Sequence, residues 1–278
     1  MKTRRELLNE AAKMLLESGA SDARLDAEWL LSSATGLGRM QLLSDLEAPV
    51  PVDQMERFEV IIGHRAIGEP LQYVLGETDF MGHTFFVDAR VLIPRAGTET
   101  LCEEAIRRAQ PECRVLDIGT GSGALAISIA LACPQAQVTA VDISNEALWV
   151  ARENQHALGT SVTWVQSDLF DALPGRSFDL IVSNPPYIPA GDLPGLQREV
   201  RFEPALALDG GIDGLDFYRR IVAALPAHLV RGGSLLFEVG DGQAADVAAM
   251  MAPQFESIQI LRDLAGLERV VAGDGYAG

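Results

Sequence analysis

The 278-residue chain predicts an α/β fold in which an open, mostly parallel seven-stranded sheet carries helices on both faces, preceded by a small helical bundle and a linking β-hairpin. Three observations predict it. From about Val91 onward, short apolar runs alternate with amphipathic stretches, the order that yields parallel strands joined by crossover helices. The first apolar run leads through a glycine turn, Gly119-Thr120-Gly121-Ser122-Gly123, into a helix-like segment. The first 70 or so residues show only helical periodicity.

Thr3 with Glu6 forms a capping-box signal, and Leu7, Leu8, Ala11, Ala12, Leu15 and Leu16 make an apolar stripe that stops at Ser18-Gly19. A second helix is expected from Asp22 to Thr35 with Leu25, Trp29 and Leu30 on its apolar face, and shorter ones near Arg39 to Asp45 and Val52 to Ala66. This bundle, residues 1–70, holds no chemical constellation, so recognition or packing is its expected work. Leu71 to Leu75 and Thr84 to Val87 look strand-like, with Gly76-Glu77-Thr78-Asp79 and Met81-Gly82 between them, and predict the hairpin over 71–90. The main domain, 91–278, is expected to have strands at 113–118, 137–142, 162–167, 178–183, 233–239, 256–261 and 268–272. Helices are expected at 97–109, 123–132, 145–157, 214–228 and 242–251.

Composition excludes several classes. No apolar run approaches the roughly 18 residues needed to span a bilayer, so no membrane association is expected. The amino-terminal residues run straight into an amphipathic pattern containing Asn9, Glu10 and Lys13, which predicts no signal peptide. Cys102, Cys113 and Cys133 are an odd set without metal spacing, and His64, His83, His156 and His228 are scattered; reduced thiols, a cytoplasmic location and no metal are expected. A net charge of −17 leaves no basic track for phosphates. Arg57, His64 and Arg65, or Arg219 and Arg220, are the local basic groups, and they read as solvated helix faces. Direct nucleic-acid binding is therefore not expected.

The chemistry concentrates at Asn184-Pro185-Pro186-Tyr187, just after the apolar run Phe178 to Ser183. Proline lacks an N–H and restricts the residue before it to extended geometry, so this turn is rich in acceptors. The Asn184 side-chain oxygen and the Pro185 carbonyl can accept both hydrogens of a planar –NH2 group while the Tyr187 ring covers its face. A plain strand-ending turn is the competing reading. Glycines in the 119–123 turn let a ligand approach the backbone ahead of a helix whose first N–H groups are unpaired. Asp142 ends the next strand, where a carboxylate can take both hydroxyls of a ribose, or simply cap the helix beginning near Asn145. Asp168, after the third strand, can accept from an adenine amino group or cap a helix. Gly119-x-Gly121-x-x-Ala124 also satisfies the loose dinucleotide fingerprint, which keeps a nicotinamide-dependent reductase open. All these groups fall at carboxyl ends of expected strands, where open α/β sheets bind ligands.

Asn-Pro-Pro-Tyr, the glycine turn and the ribose-type Asp together resemble the Rossmann-like class I S-adenosylmethionine-dependent methyltransferases that modify planar nitrogens. The blocks Leu92-Ile93-Pro94-Arg95, Phe202-Glu203-Pro204, Ala207 to Leu215 and Asp263 to Val271 are similar to the bacterial peptide chain release factor N5-glutamine methyltransferases over nearly the whole length. The resemblance implies S-adenosylmethionine as cofactor, with S-adenosylhomocysteine as product. It implies cofactor binding by Gly119, Thr120, Gly121, Ser122, Gly123, Asp142, Ile143, Asp168, Leu169 and Asn184. Substrate binding would fall to Asn184, Pro185, Pro186 and Tyr187, with Asn184, Pro185 and Tyr187 catalytic. The implied substrate is the glutamine of a Gly-Gly-Gln motif in class 1 release factors; a monomer is expected. Two departures stand out: Ala96-Gly97-Thr98-Glu99 replaces the family's Pro-Glu-Thr-Glu, which loosens a loop near the cofactor, and Leu169 stands where the family often has Trp. The alternatives are an adenine N6-methyltransferase acting on nucleic acid, which shares the clamp, and a non-enzymatic module that keeps only the cofactor pocket.

Overall fold

Thr3 opens the first helix with a reciprocal cap: its hydroxyl accepts from the Glu6 N–H at 3.3 Å and its own N–H donates to the Glu6 carboxylate at 2.8 Å. A computed structural model describes residues 2–278, which divide into two units: residues 2–77 with Gln197–Phe202, and Thr78–Leu196 with Glu203–Gly278.

The first unit contains α1 (Arg4–Glu17), α2 (Ala23–Thr35), α3 (Arg39–Ser44), α4 (Val52–Ala66) and α5 (Leu71–Leu75). Leu8, Leu15, Leu30, Leu31 and Leu42 are its fully buried center. The apolar face of α2 differs from the expected one. Ala23, Ala27, Leu30, Leu31 and Ala34 face the core at helical spacing, while Leu25 and Trp29 are exposed and the Arg39 guanidinium lies 6.0 Å from the Trp29 ring. Leu16, expected in the stripe of α1, is exposed as well. Large side chains mislead here because small alanines let the helices approach.

Arg65 is not on a solvated face. It is buried, donating to Asp26 at 2.8 Å and to Glu199 at 3.0 Å. Burial holds the Asp26 carboxyl above its ordinary range, opposed by that guanidinium. Arg198 adds bonds to the carbonyls of Ser18 and Ala66 at 2.8 and 2.9 Å, so the segment Gln197–Phe202 completes the bundle from far along the chain. Leu71–Leu75, expected as a strand, is helical. Pro70 presets φ at −54° before it, Gly76 closes it at φ 78°, and Leu71, Val74 and Leu75 pack on the bundle core. The hairpin is instead β1 (Glu77–Phe80) with β2 (His83–Phe86), turning through Met81 and Gly82 at φ 51° and 75°, the positive pair that a two-residue hairpin turn demands.

The second unit continues with α6 (Ala96–Arg108), β3 (Arg114–Ile118), α7 (Ala124–Ala132), β4 (Gln137–Asp142), α8 (Asn145–Leu158), β5 (Thr163–Gln166) and β6 (Phe178–Ser183). It ends with α9 (Asp216–His228), β7 (Leu229–Glu238), α10 (Ala244–Met251), β8 (Phe255–Arg262) and β9 (Glu268–Tyr276). The seven strands lie in the order β5-β4-β3-β6-β7-β9-β8, parallel except where β9 pairs antiparallel with β7 and β8. One core packs each face: Ile181, Phe237 and Tyr218 on one side, Val115, Val182 and Ile127 on the other. The chain runs outward from β3 through β4 to β5 and then returns to β6 on the other side of β3. That reversal opens a crevice at the carboxyl ends of β3, β4 and β6. Buried Asn154 of α8 ties the hairpin to the crevice floor, bonding both backbone groups of Phe86 and the Ser122 carbonyl. No helix among the described residues is long and apolar enough to cross a membrane.

Candidate active site

A cavity of about 280 Å³ fills that crevice, with Gly119, Gly121, Asp142, Asp168, Asn184 and Pro185 among its lining residues. Gly119 and Gly121 have φ of 74° and 56°, and a Cβ at either would project into open space. This is a cradle kept clear for a ligand that lies against backbone. Four N–H groups of the turn itself are occupied. Gly119 and Thr120 both donate to the Val141 carbonyl, Gly121 donates to Asp142 and Gly123 to the Thr120 carbonyl. Beneath the turn, Asp117 is buried and accepts the Thr120 hydroxyl at 2.6 Å; burial raises its pKa to about 7. Thr120, Ser122 and Gly123, expected as cofactor ligands, are buried behind the wall and shape it. A Cβ on Gly123 would come within 2.9 Å of Trp164, which explains that glycine by packing.

Asp142 is held by two backbone donors, Gly121 and Ser144, each at 2.9 Å, while the cap of α8 is the Ser144 hydroxyl. Its carboxylate is therefore not consumed by helix capping and keeps lone pairs toward the cavity. Burial raises its pKa against those donors. Ile143 and Leu169 line the wall, Leu169 at φ 50°. Asp168 is ion-paired with Arg220 at 2.8 Å. With Glu146 also in the lining, three carboxylates face the cavity; its two guanidiniums, Arg90 and Arg220, are each paired with an Asp. An acidic cradle suits a cationic donor such as a sulfonium better than a pyrophosphate.

Ser183 is buried and donates to the Ile118 carbonyl at 2.8 Å, locking the end of β6 to β3. Asn184 follows, and its Nδ2 donates to the Thr98 hydroxyl at 3.3 Å. That contact uses one of the two N–H donors, sets the amide end toward Thr98 and leaves Oδ1 as an acceptor. Pro185 and Pro186 continue the cavity wall. Tyr187, expected to cover the substrate, is not in that wall. Its ring packs beside the Gly240 backbone and on the core, and its carbonyl accepts from Gln243 at 2.9 Å.

Three glycines set this segment in place. A Cβ on Gly210 would lie 2.7 Å from the Tyr187 Cα, one on Gly214 2.3 Å from the Tyr187 carbonyl oxygen, and one on Gly240 2.9 Å from its ring. The Ile188 N–H donates to the Leu208 carbonyl and the Gly210 N–H to the Ile188 carbonyl, a short parallel pairing. Gly210→Ala must push the clamp off its position; kcat is expected to fall about 10-fold with methyl-donor affinity within a factor of about three, on the scale of misplaced reacting groups. Steady-state kinetics with parallel donor titration checks this, and an unchanged kcat would remove the glycines from the clamp's support.

The loop before α6 is not loosened by Ala96-Gly97. Ala96 begins the helix, and buried Glu203 accepts from the Ile93 N–H at 3.1 Å and pairs with Arg95. A Cβ at Gly97 would press to 3.2 Å from Arg269. Several wall residues, Arg90, Leu206 and Phe217, carry no sequence signal of their own, since only the fold brings them to the cavity.

Two family models match the chain: the methyltransferase small domain over residues 95–193 and the PrmC N-terminal domain over residues 6–76. The release factor glutamine methyltransferase of Geobacter sulfurreducens is 46% identical over 273 residues, 98% of this chain and 96% of that one. The Moorella thermoacetica protein of the same name is 44% identical, with 96% of each chain covered. Among solved structures, a T. thermophilus 16S rRNA methyltransferase in complex with AdoMet and guanosine superposes with TM-score 0.52 at 20% identity, covering 72% of this chain and 49% of that one; it shares the fold. With near-complete overlap at this identity, the chain belongs to the release factor glutamine methyltransferase family.

Proposed function

We propose that the protein transfers a methyl group from S-adenosylmethionine to the side-chain amide nitrogen of the Gly-Gly-Gln glutamine in class 1 peptide chain release factors. The observation that carries the reading is the Asn184 carboxamide, its Nδ2 committed to Thr98 and its Oδ1 left for the ligand side of a cavity lined by Asp142 and the glycine cradle. S-adenosylmethionine, when bound, supplies a methyl carbon activated by an adjacent sulfonium. Gly119, Gly121, Ile143 and Leu169 would hold it, with Asp142 on the ribose hydroxyls and Asp168 near the adenine amine.

The remaining work falls to the chain's own residues. A carboxamide nitrogen is a poor nucleophile because its lone pair is delocalised into the carbonyl. Asn184 Oδ1 and the Pro185 carbonyl accept its two hydrogens, orient it and favour the positive charge that develops on nitrogen. Once alkylated, that nitrogen is strongly acidic and loses its proton to water, so no dedicated base is needed. Pro186 shapes the wall, and Tyr187 supports the segment.

The runner-up, an adenine N6-methyltransferase, meets the same clamp but needs phosphate contacts. Arg57 pairs with Asp53, His64 with Glu69, Arg219 with Asp213 and Asp216, and Arg220 with Asp168, which leaves those basic groups neutralised. The protein is proposed to act as a cytoplasmic monomer without direct nucleic-acid contact, with the helical unit docking the release factor. Incubation with a purified release factor and labelled methyl donor is expected to add one methyl mass, mapped to the Gly-Gly-Gln glutamine. Label on duplex DNA or RNA instead, with none on the factor, would overturn the assignment.

A further inference from the structure

Glu238, the last residue of β7, is 1% exposed, and its Oε2 has no hydrogen-bond partner. A buried carboxylate with an unused oxygen is costly, so a reason for its presence is needed. The Thr98 hydroxyl, which receives the Asn184 Nδ2 at 3.3 Å, is also the side-chain group that most opposes the effect of burial on this carboxylate. Glu238, Thr98 and Asn184 therefore form a chain that runs from the core to the reacting site.

The direction of that chain is dictated by proton count. A hydroxyl has one hydrogen. When it donates to an ionised Glu238, it presents only lone pairs to Asn184, which must then turn Nδ2 toward Thr98 and Oδ1 toward the cavity. A protonated Glu238 can donate to Thr98 instead, and the released hydroxyl hydrogen then points at Asn184, where it favours the flipped carboxamide. The flipped form presents an –NH2 to an –NH2.

We propose that Glu238 is a positioning residue for methyl transfer, setting through the Thr98 hydroxyl which end of the Asn184 carboxamide meets the substrate amide. The inference rests on Asn184 being the acceptor described above.

The surroundings place this switch in an accessible range. Burial raises the Glu238 pKa to about 7, opposed by Thr98, Arg269 and Arg95 and aided by Asp263. Both guanidiniums are engaged elsewhere, Arg269 with Asp263 and Asp241 and Arg95 with Glu203. The other titratable groups facing the carboxylate are the Tyr187 and Tyr218 phenols, both raised by burial and therefore neutral here. The Tyr218 hydroxyl donates to the Glu238 backbone carbonyl, not to its side chain.

The test is kinetic, with readouts that a purely structural role does not move. Wild-type kcat is expected to fall as pH drops through about 7. Glu238→Gln cannot ionise and, like the protonated acid, can donate to Thr98; its kcat at pH 8 is expected to drop to the level wild type reaches below about pH 7 and to show no further acidic fall. Thr98→Val is expected to lower kcat about 10-fold, the scale of one lost hydrogen bond that leaves a partner unpaired, with donor Kd within about twofold. Thr98→Ser restores most of the rate. Independently of turnover, the carboxyl carbon of Glu238 in protein labelled with ¹³C-glutamate is expected to titrate far above an ordinary glutamate. The proposal fails if Thr98→Val keeps more than half of wild-type kcat, or if Glu238→Gln retains the wild-type acidic limb. An Asn184→Ala variant separates the two layers. If it turns over at the wild-type rate, the acceptor assignment itself is lost; if it is slow while Thr98→Val is normal, only the positioning role is lost.

Discussion

Asn184→Ala lowers kcat for glutamine methylation by about 10²-fold or more and leaves the dissociation constant for the methyl donor within about threefold of wild type. The expectation follows from where the side chain sits. Asn184 is at the carboxyl end of β6, which Ser183 pins to β3, and its amide end is anchored on Thr98. Truncation removes one of two acceptors that hold the substrate amide while leaving the glycine cradle and Asp142 untouched. An acceptor aimed at charge that appears only in the transition state contributes to rate much more than to ground-state binding, and losing one such bond costs about 10²–10³ in kcat. Single-turnover methylation with parallel titration by S-adenosylhomocysteine measures both quantities. A variant that methylates at the wild-type rate sinks the clamp, and one that loses donor affinity instead moves Asn184 to the cofactor side alone.

Asp142→Ala acts on the other half of the site. Donor affinity is expected to drop about 10²-fold, with a smaller change in kcat once the donor is saturating. Two losses combine. The variant removes the anionic acceptor offered to the ribose hydroxyls, and charged hydrogen bonds of that kind contribute about 1.5–3 kcal/mol each. It also strips the Gly121 and Ser144 N–H groups of their acceptor, so the cradle itself loosens. Calorimetric titration with S-adenosylhomocysteine reads the effect directly. A change below about threefold would mean that Asp142 serves the turn and not the ligand.

Much of this site was legible along the chain because its parts are local. Positive φ confines the cradle positions to glycine, Pro185 and Pro186 leave bare acceptors after Asn184, and the carboxylate of Asp142 stands directly at a strand end. Tyr187 shows the limit. Its neighbours in sequence point to the cavity, yet the backbone of Gly210, Gly214 and Gly240 crowds it into a supporting place. The strand-like Leu71–Leu75 became a helix for a similar reason, since five apolar residues fit either period and the bundle core decided between them.

The alternation of strands and helices after Val91, the glycine cradle and the acceptor turn were determined by the sequence alone, because each depends on backbone conformation and periodicity within a few consecutive residues. Only the tertiary structure decided that Arg65 is buried between Asp26 and Glu199, that Arg220 meets Asp168, and that Asn184 meets Thr98. Those contacts join residues far apart in the chain, and their energy depends on burial and pairing that no local pattern records.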